Sequence, residues 1–293
     1  MRIKAENLSF SYSPKSKDLK VRALKNINLT IEEGDFFGIV GHTGSGKSTF
    51  VQHLNGLIKV QKDSGKITVG EFDLTDKKCD FKALRKKTGM VFQYPEYQLF
   101  AETVKDDVAF GLKNFFPELS EEEREEKIKK AIELVGLDYE RVKDRSPFEF
   151  SGGQKRRIAI AGVLVGEPEI LILDEPAAGL DPKGKKDFLN LLKTVHGQFV
   201  KTIIIVSHDM NIISEYCNKA AVFSEGEIYK TGMPSEIFSS KEEIEKLGLE
   251  LPVTAELTFA LKEAGADVEN DFTVDDFVDK VATALGKNKG GGR

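Results

Sequence analysis

Gly41-His42-Thr43-Gly44-Ser45-Gly46-Lys47-Ser48-Thr49 has the spacing Gly-x-x-x-x-Gly-Lys-Ser. An apolar run, Phe36-Phe37-Gly38-Ile39-Val40, leads into it, and Thr49-Phe50-Val51-Gln52-His53-Leu54 reads as helix after it. Strand, glycine-rich turn and helix are the setting in which this spacing carries meaning. The glycines let the backbone curl until several N–H groups point inward at phosphate oxygens. The positive end of the helix that starts near Lys47 strengthens that field. Lys47 brings a mobile charge suited to β- and γ-phosphates, and the Ser48 hydroxyl suits Mg²⁺.

Before this stretch, residues 1–35 read as short strands. Ile3, Ala5 and Leu8 alternate loosely, Pro14 to Lys20 is a polar loop, and Leu24 to Ile31 alternates well before the turn Glu33-Gly34-Asp35. After it, Ser64–Gly70 and Thr88–Gln93 read as strands. From about Val104 to Gly136 the pattern is helical: Ser120 and Glu123 form a capping box, and Ile128, Ala131, Ile132 and Val135 share a face. Ser151-Gly152-Gly153-Gln154 opens a further helix with Ile158, Ala161, Gly162 and Val165 inward. Glu169–Asp174 and Thr202–Ser207 are continuous apolar runs that suit buried parallel strands, with a helix at about 183–196 between them. Alternating strands and helices predict a parallel α/β sheet that binds ligands at the strands' carboxyl ends. From about Gly232 the chain reads as a small helical appendix. Leu257, Ala260, Leu261 and Ala264 fall on one face, and Thr273-Val274-Asp275-Asp276 starts a helix carrying Phe277, Val278, Val281 and Leu285. Gly286–Arg293 reads as a disordered tail.

A chain of 293 residues with 40% apolar and 31% charged residues has the composition of a soluble globular protein, in one large domain or a main domain with a small one. No apolar run approaches the length that crosses a bilayer, and Met1–Glu6 lacks the apolar core of a signal peptide, so the chain is expected in the cytoplasm. Cys79 and Cys217 lack metal-ligand spacing and read as reduced thiols. A net charge of −5 argues against nucleic acid as a partner.

Asp174 and Glu175 follow a buried strand, a natural place for metal-dependent phosphate chemistry. Asp174 is expected to hold Mg²⁺, and Glu175 to orient or deprotonate the attacking water. The adjacent negative charges are expected to raise one carboxyl's pKa. Gln93 at a strand end can reach metal or water through its amide oxygen. His208, also at a strand end, can donate to a γ-phosphate, and Tyr12 can stack on a base. Taken singly, these three read better as a solvated, a structural and a packed side chain. Ser151-Gly152-Gly153-Gln154 supplies a second set of bare N–H groups before a helix. One nucleotide does not need two cradles on one chain, so the second is expected to serve a nucleotide held by another copy or a sibling chain.

The set resembles the ABC-type ATPases over about residues 1–230. The phosphate loop 41–48, Gln93, Ser151–Gln154, Ile170–Glu175, Ala178-Gly179-Leu180-Asp181 and His208 match, in order, the family's Walker A, Q-loop, signature, Walker B, D-loop and switch-histidine motifs; Tyr12 matches its adenine-stacking aromatic. Phe150 and Ala177 depart from the usual Leu and Thr at positions that carry no reactive group. The resemblance implies an ABC-type P-loop NTPase fold: an antiparallel β subdomain, a mostly parallel core sheet and a helical subdomain at about 95–165, all within residues 1–231. It implies ATP and Mg²⁺ at the site. Gly41, His42, Thr43, Gly44, Ser45, Gly46, Lys47, Ser48, Thr49 and Tyr12 would bind nucleotide, Ser48, Gln93 and Asp174 the metal, and Glu175, His208 and Gln93 would serve catalysis. Ser151, Gly152, Gly153, Gln154 and Asp181 would act at the nucleotide shared between subunits.

Gly41-His42-Thr43-Gly44, Gln93-Tyr94-Pro95-Glu96-Tyr97-Gln98-Leu99-Phe100 and the helical appendix narrow the resemblance to energy-coupling factor ATPases of the second, A-prime, subtype. That implies uptake of a vitamin or of cobalt or nickel ions, driven from the cytoplasmic face of the cell membrane. It implies three partners: a sister ATPase (or a second copy), a transmembrane coupling protein and a substrate-binding membrane protein. Tyr97, Leu99 and Phe100 would anchor the coupling protein, and residues 232–285 would support ATPase–ATPase association. A conventional ABC importer ATPase and a soluble, non-transport ABC ATPase stay open as alternatives. The helical character of 240–285 counts against the first, and the lack of long coiled-coil insertions or a second cassette against the second.

Overall fold

The computed structural model describes residues 1–12, 21–266, 268–269 and 272–288. In chain order its elements are β1 (Ile3–Tyr12), β2 (Val21–Ile31), β3 (Phe36–Val40), α1 (Lys47–Leu54), β4 (Lys66–Val69), β5 (Phe72–Asp73), α2 (Phe81–Lys87), β6 (Thr88–Val91), α3 (Val104–Phe115), α4 (Glu121–Leu134), α5 (Tyr139–Val142), α6 (Gly152–Leu164), β7 (Ile170–Asp174), α7 (Pro182–Val195), β8 (Thr202–Val206), α8 (Met210–Tyr216), β9 (Lys219–Ser224), β10 (Glu227–Gly232), α9 (Pro234–Ile237), α10 (Lys241–Lys246), α11 (Val253–Glu263) and α12 (Val274–Asn288).

They form two sheets. One is antiparallel, in the order β2-β1-β4-β5; the other runs β10-β9-β3-β8-β7-β6. In the second, β9, β3, β8, β7 and β6 are parallel and only β10 is antiparallel. Alternation along its buried strands divides the interior into two cores. Phe36, Val40, Leu171, Leu173, Ile203 and Ile205 face α3, α4, α6 and α7. Their neighbours Phe37, Ile39, Ile170, Ile172, Ile204 and Val206 face α1 and the antiparallel sheet. Both faces of these strands are covered, which is why they read as unbroken apolar runs.

The strands expected at 64–70, 88–93, 169–174 and 202–207 are β4, β6, β7 and β8, but β6 and β8 stop at Val91 and Val206, so Gln93 and His208 lie just past strand ends. Residues 1–35 hold two long strands instead of several short ones. Register shifts between Ala5 and Ser11 along the β1–β2 pair, with Asn7 and Asn26 at positive φ, account for the loose alternation there. Residues 14–20, the expected polar loop, lie outside the described residues. The hairpin β9–β10 had no strand reading; it turns through Glu225 and Gly226, both at positive φ, the two-residue turn that suits strand twist.

The capping box at Ser120 and Glu123 forms as expected on α4. In the C-terminal part, Ile237, Phe238, Ala255 and Phe272 join the core beneath the helical side of the sheet. Asn211 and Glu215 of α8 accept from the first amides of α11 and α12, at Val253 and Val274, each at 2.9 Å. The face of α11 that packs inward is Thr254, Ala255 and Thr258, whereas Leu257 of the apolar stripe is 47% exposed. Of the tail expected at 286–293, residues through Asn288 are the end of α12 and the rest lie outside the described residues.

Candidate functional site

β3, β8, β7 and β6 are consecutive in the sheet and parallel, so their carboxyl ends share one edge. Onto that edge the chain delivers the phosphate loop after β3, His208 after β8, Asp174-Glu175 at the end of β7 and Gln93 after β6.

Gly46 caps α1 at φ 103, and a Cβ there would lie 2.5 Å from the Ala23 carbonyl oxygen of β2. Position 46 therefore requires both the left-handed backbone and the missing side chain. The β9–β10 turn braces the loop from behind, the Gly226 amide donating to the Ser45 carbonyl at 3.1 Å. Lys47 Nζ donates to the carbonyls of Gly41 at 2.6 Å and His42 at 2.9 Å. Burial lowers the pKa of this lysine, and the carboxylates of Glu175 and Asp174 oppose the shift. The tip of the loop, His42, Thr43 and Gly44, is exposed, and the Ser45 hydroxyl is buried without a hydrogen-bond partner.

Ser48 Oγ donates to Asp174 Oδ1 at 3.1 Å. Burial raises the Asp174 carboxyl pKa, with the Ser48 hydrogen bond and the Lys47 charge pulling the other way. Desolvation, and not a neighbouring carboxylate as the sequence suggested, is the cause. Glu175 sits at φ 49, its amide donating to the Val206 carbonyl at 3.0 Å across to β8. That pairing aims its side chain at the loop following β8, where Glu175 Oε2 meets His208 Nδ1 at 2.9 Å. With Glu175 ionised, Nδ1 carries the proton, because a carboxylate only accepts, and the other ring nitrogen is left for a ligand. Tyr12 joins the same region from β1: its hydroxyl pairs with Thr49 Oγ1 at 3.2 Å, and Phe10 holds its ring edge-on at 4.9 Å.

The remaining expected residues stand apart from this cluster. Ser151 Oγ accepts from the Gln154 amide, and Gln154 Oε1 accepts from the Ser151 amide, a capping box closed on itself. Beyond their chain neighbours and their own helix's backbone, Gly152 and Gly153 have no described atom within 4 Å of a built Cβ, and neither has positive φ, so nothing among the described residues demands glycine there. Asp181 caps α7 through the Gly184 amide at 2.7 Å. Of the expected anchors, Tyr97 is 84% and Phe100 61% exposed, but Leu99 packs inside at 6% and cannot serve as one. Phe100 and Phe110 stack edge-to-face at 5.0 Å on the rim of a cavity of about 310 Å³ lined also by Leu57, Arg85, Asp107 and Val163.

Two contacts had no sequence signal strong enough to single them out. Arg156, buried on α6, pairs with Glu96, and Lys185 of α7 pairs with Asp209, the residue after His208. A charged residue on the otherwise apolar inner side of α6 was the available clue to the first.

A family model described as ABC transporter matches residues 24–178. The energy-coupling factor transporter ATP-binding protein EcfA2 of Clostridium tetani is 48% identical over 94% of this chain and 94% of its own length. The EcfA2 of Symbiobacterium thermophilum is 43% identical over 100% of both chains. Among solved structures, cbiO1 from Clostridium perfringens, described as part of the ABC transporter complex cbiONQ, is 40% identical with a TM-score of 0.73, covering 88% of this chain and 98% of that one. The ATP-binding cassette MJ0796, in a dimeric post-hydrolysis state bound to ADP and Pi, is 30% identical with a TM-score of 0.69, covering 79% and 98%.

Proposed function

This chain belongs to the ABC transporter family and, within it, to the energy-coupling factor transporter ATP-binding subunits, and on that footing we propose which of its residues bind and split ATP and which surfaces meet its partners. ATP lies along the carboxyl edge of β3, β8 and β7 with its adenine on the Tyr12 ring. Lys47 exchanges the Gly41 and His42 carbonyls for the β- and γ-phosphate oxygens, a trade its three rotatable donors and flexible stem allow. Ser48, Asp174 and the Gln93 amide present hard oxygens that fit Mg²⁺, which keeps few protein ligands alongside phosphate and water. No all-protein cage competes: among the described residues there is no cluster of three or more His, Cys, Asp or Glu able to hold a metal. Held by Ser48, Asp174 and Gln93, the metal would supply positive charge against the phosphate oxygens during transfer. Glu175 orients the attacking water and takes its proton, while His208, with its Nδ1–H on Glu175, donates to the γ-phosphate through Nε2, which requires the doubly protonated ring.

The observation that carries this is the pair of contacts at the carboxyl edge of the sheet, Ser48 of α1 to Asp174 of β7 at 3.1 Å and Glu175 to His208 at 2.9 Å, beside the Lys47 ammonium. The signature Ser151-Gly152-Gly153-Gln154 closes over the nucleotide of a partner ATPase, a sister chain or a second copy. The open space over Gly152 and Gly153 supports this, since it admits a phosphate to the bare amides. The exposed apolar side chains of α11 and α12, Val253, Leu257, Val274 and Val278, support that association at the C-terminal end. The cavity beside Phe100 and Phe110 receives a helix of the transmembrane coupling protein. Among the described residues no helix is long and apolar enough to cross a membrane, so the chain would sit on the cytoplasmic face through that protein and the substrate-binding one. Uptake of a vitamin or of cobalt or nickel ions is the transport powered.

Glu175→Gln tests the assignment. It should retain MgATP binding, accumulate the closed pair and lower turnover by about 10²- to 10⁴-fold, the usual worth of a positioned base. Hydrolysis at the normal rate would show that Glu175 does not act on the water.

A further inference from the structure

One guanidinium joins three segments that serve the nucleotide. Arg156 lies two residues beyond Gln154 on α6 and is 4% exposed. Its Nε and Nη2 donate to the two Glu96 carboxylate oxygens at 3.0 and 2.9 Å. Its Nη1 donates to the Pro176 carbonyl and its Nη2 to the Ala178 carbonyl, both at 3.0 Å. Glu96 sits in the 3-10 turn Pro95–Gln98 that follows Gln93. Pro176 is bonded to Glu175, and Ala178 precedes the stretch leading to Asp181.

Burying an ion pair is a poor way to gain stability, because the attraction only repays the loss of water when every donor is placed. Here four N–H bonds from one rigid plane fix the helix start, the segment after Gln93 and the turn after Glu175 relative to one another. A lysine has no such plane, so the arrangement depends on arginine and not merely on positive charge. We infer that Arg156 is a positioning residue that makes Ser151–Gln154 answer to the nucleotide on the same chain's phosphate loop. With nucleotide bound, Gln93 would turn to the metal and Glu175 to the attacking water. The shift reaches Glu96 and Pro176–Ala178, and Arg156 carries it into the first turns of α6, the part offered to the partner's nucleotide. The two nucleotides of a closed pair thereby sense each other through each chain's interior as well as across the interface. This rests on the ATPase reading above.

The test uses hydrogen exchange on the full chain, with and without MgATP, for the unmodified protein, R156K and E96Q. Arg156→Ala would strand a buried Glu96 carboxylate, so the two milder changes carry the test. In the unmodified chain MgATP should slow exchange of α6 amides 155–160 by about 5-fold or more, in the range of typical site-to-site coupling. In R156K and E96Q that slowing should fall below about 2-fold, with MgATP affinity kept within about 3-fold, because neither residue touches nucleotide. A purely structural role would loosen α6 equally with and without nucleotide and leave the MgATP-dependent difference intact; that result overturns the inference, as does the absence of slowing in the unmodified chain. Failure of the unmodified chain to bind MgATP at all would refute the ATPase reading itself, and the link with it.

Discussion

Gly153→Ala should strengthen the isolated chain and disable the assembled one. Gly153 lies in the first turn of α6, outside the left-handed region, and among the described residues nothing beyond its chain neighbours and the backbone of its own helix comes within 4 Å of where a methyl would stand. Alanine fits that backbone without strain and narrows the unfolded ensemble, which is worth about 0.4–1 kcal/mol. In a chain of this size that amounts to a rise of about 1–4 °C in melting temperature, at about 2–4 °C per kcal/mol. In the proposed closed pair the same methyl would stand where the partner's γ-phosphate approaches the bare amides. Losing donors of that kind lowers turnover by about 10²- to 10³-fold. Calorimetry on the purified chain and phosphate release from the assembled transporter read the two arms, with Gly152→Ala as a companion. An unchanged ATPase rate, or a fall in melting temperature, would refute the claim that these glycines are kept for a ligand outside the chain.

Asp174→Asn should separate stability from function in a similar way. Burial raises the Asp174 carboxyl above its ordinary 3.8, so the folded chain favours the neutral form. The associated stability is complete below 3.8 and is lost as pH rises through the raised value, leaving an ionised carboxylate that burdens the fold at neutral pH. The amide should raise the melting temperature at pH 7, lose most of that advantage below pH 4, and abolish Mg²⁺-dependent turnover; a lower melting temperature at pH 7 would contradict the burial argument. Leu257→Glu, on the exposed side of α11, should leave the chain's stability within about 0.5 kcal/mol, as surface changes do, while weakening ATPase–ATPase association in sedimentation; undiminished association would remove α11 from the interface.

The parts of the molecule legible in the sequence were those where a local pattern and the tertiary environment agree. Gly41–Thr49 reads correctly because strand, turn and helix are each locally encoded, and Ile170–Asp174 and Thr202–Val206 because strands buried on both faces need no alternation. What failed depended on distant neighbours. β1 alternates poorly because its register with β2 shifts at bulges, which no window on β1 alone displays. Leu257, Ala260 and Leu261 have the spacing of a buried face, yet α11 buries Thr254, Ala255 and Thr258, whose packing and hydrogen bonds include the Phe272 carbonyl contacted by Thr254. Leu99 and Phe100 are chemically alike and adjacent; only packing distinguishes the one that is buried from the one that is exposed. The bridge from Arg156 to Glu96, Pro176 and Ala178 spans segments that only the fold brings together.

In the proposed pair each triphosphate is held from two sides by two different chains. This is tested most directly by a chain carrying Lys47→Ala and Ser151→Cys, exposed to an ATP analogue with a thiol-reactive group on its γ-phosphate. Such a chain cannot hold nucleotide itself, so labelling of the cysteine at position 151 should appear only when a partner ATPase with an intact phosphate loop is present. Labelling of that cysteine in the variant alone, or no labelling in the assembled pair, would rule out a nucleotide shared between two chains.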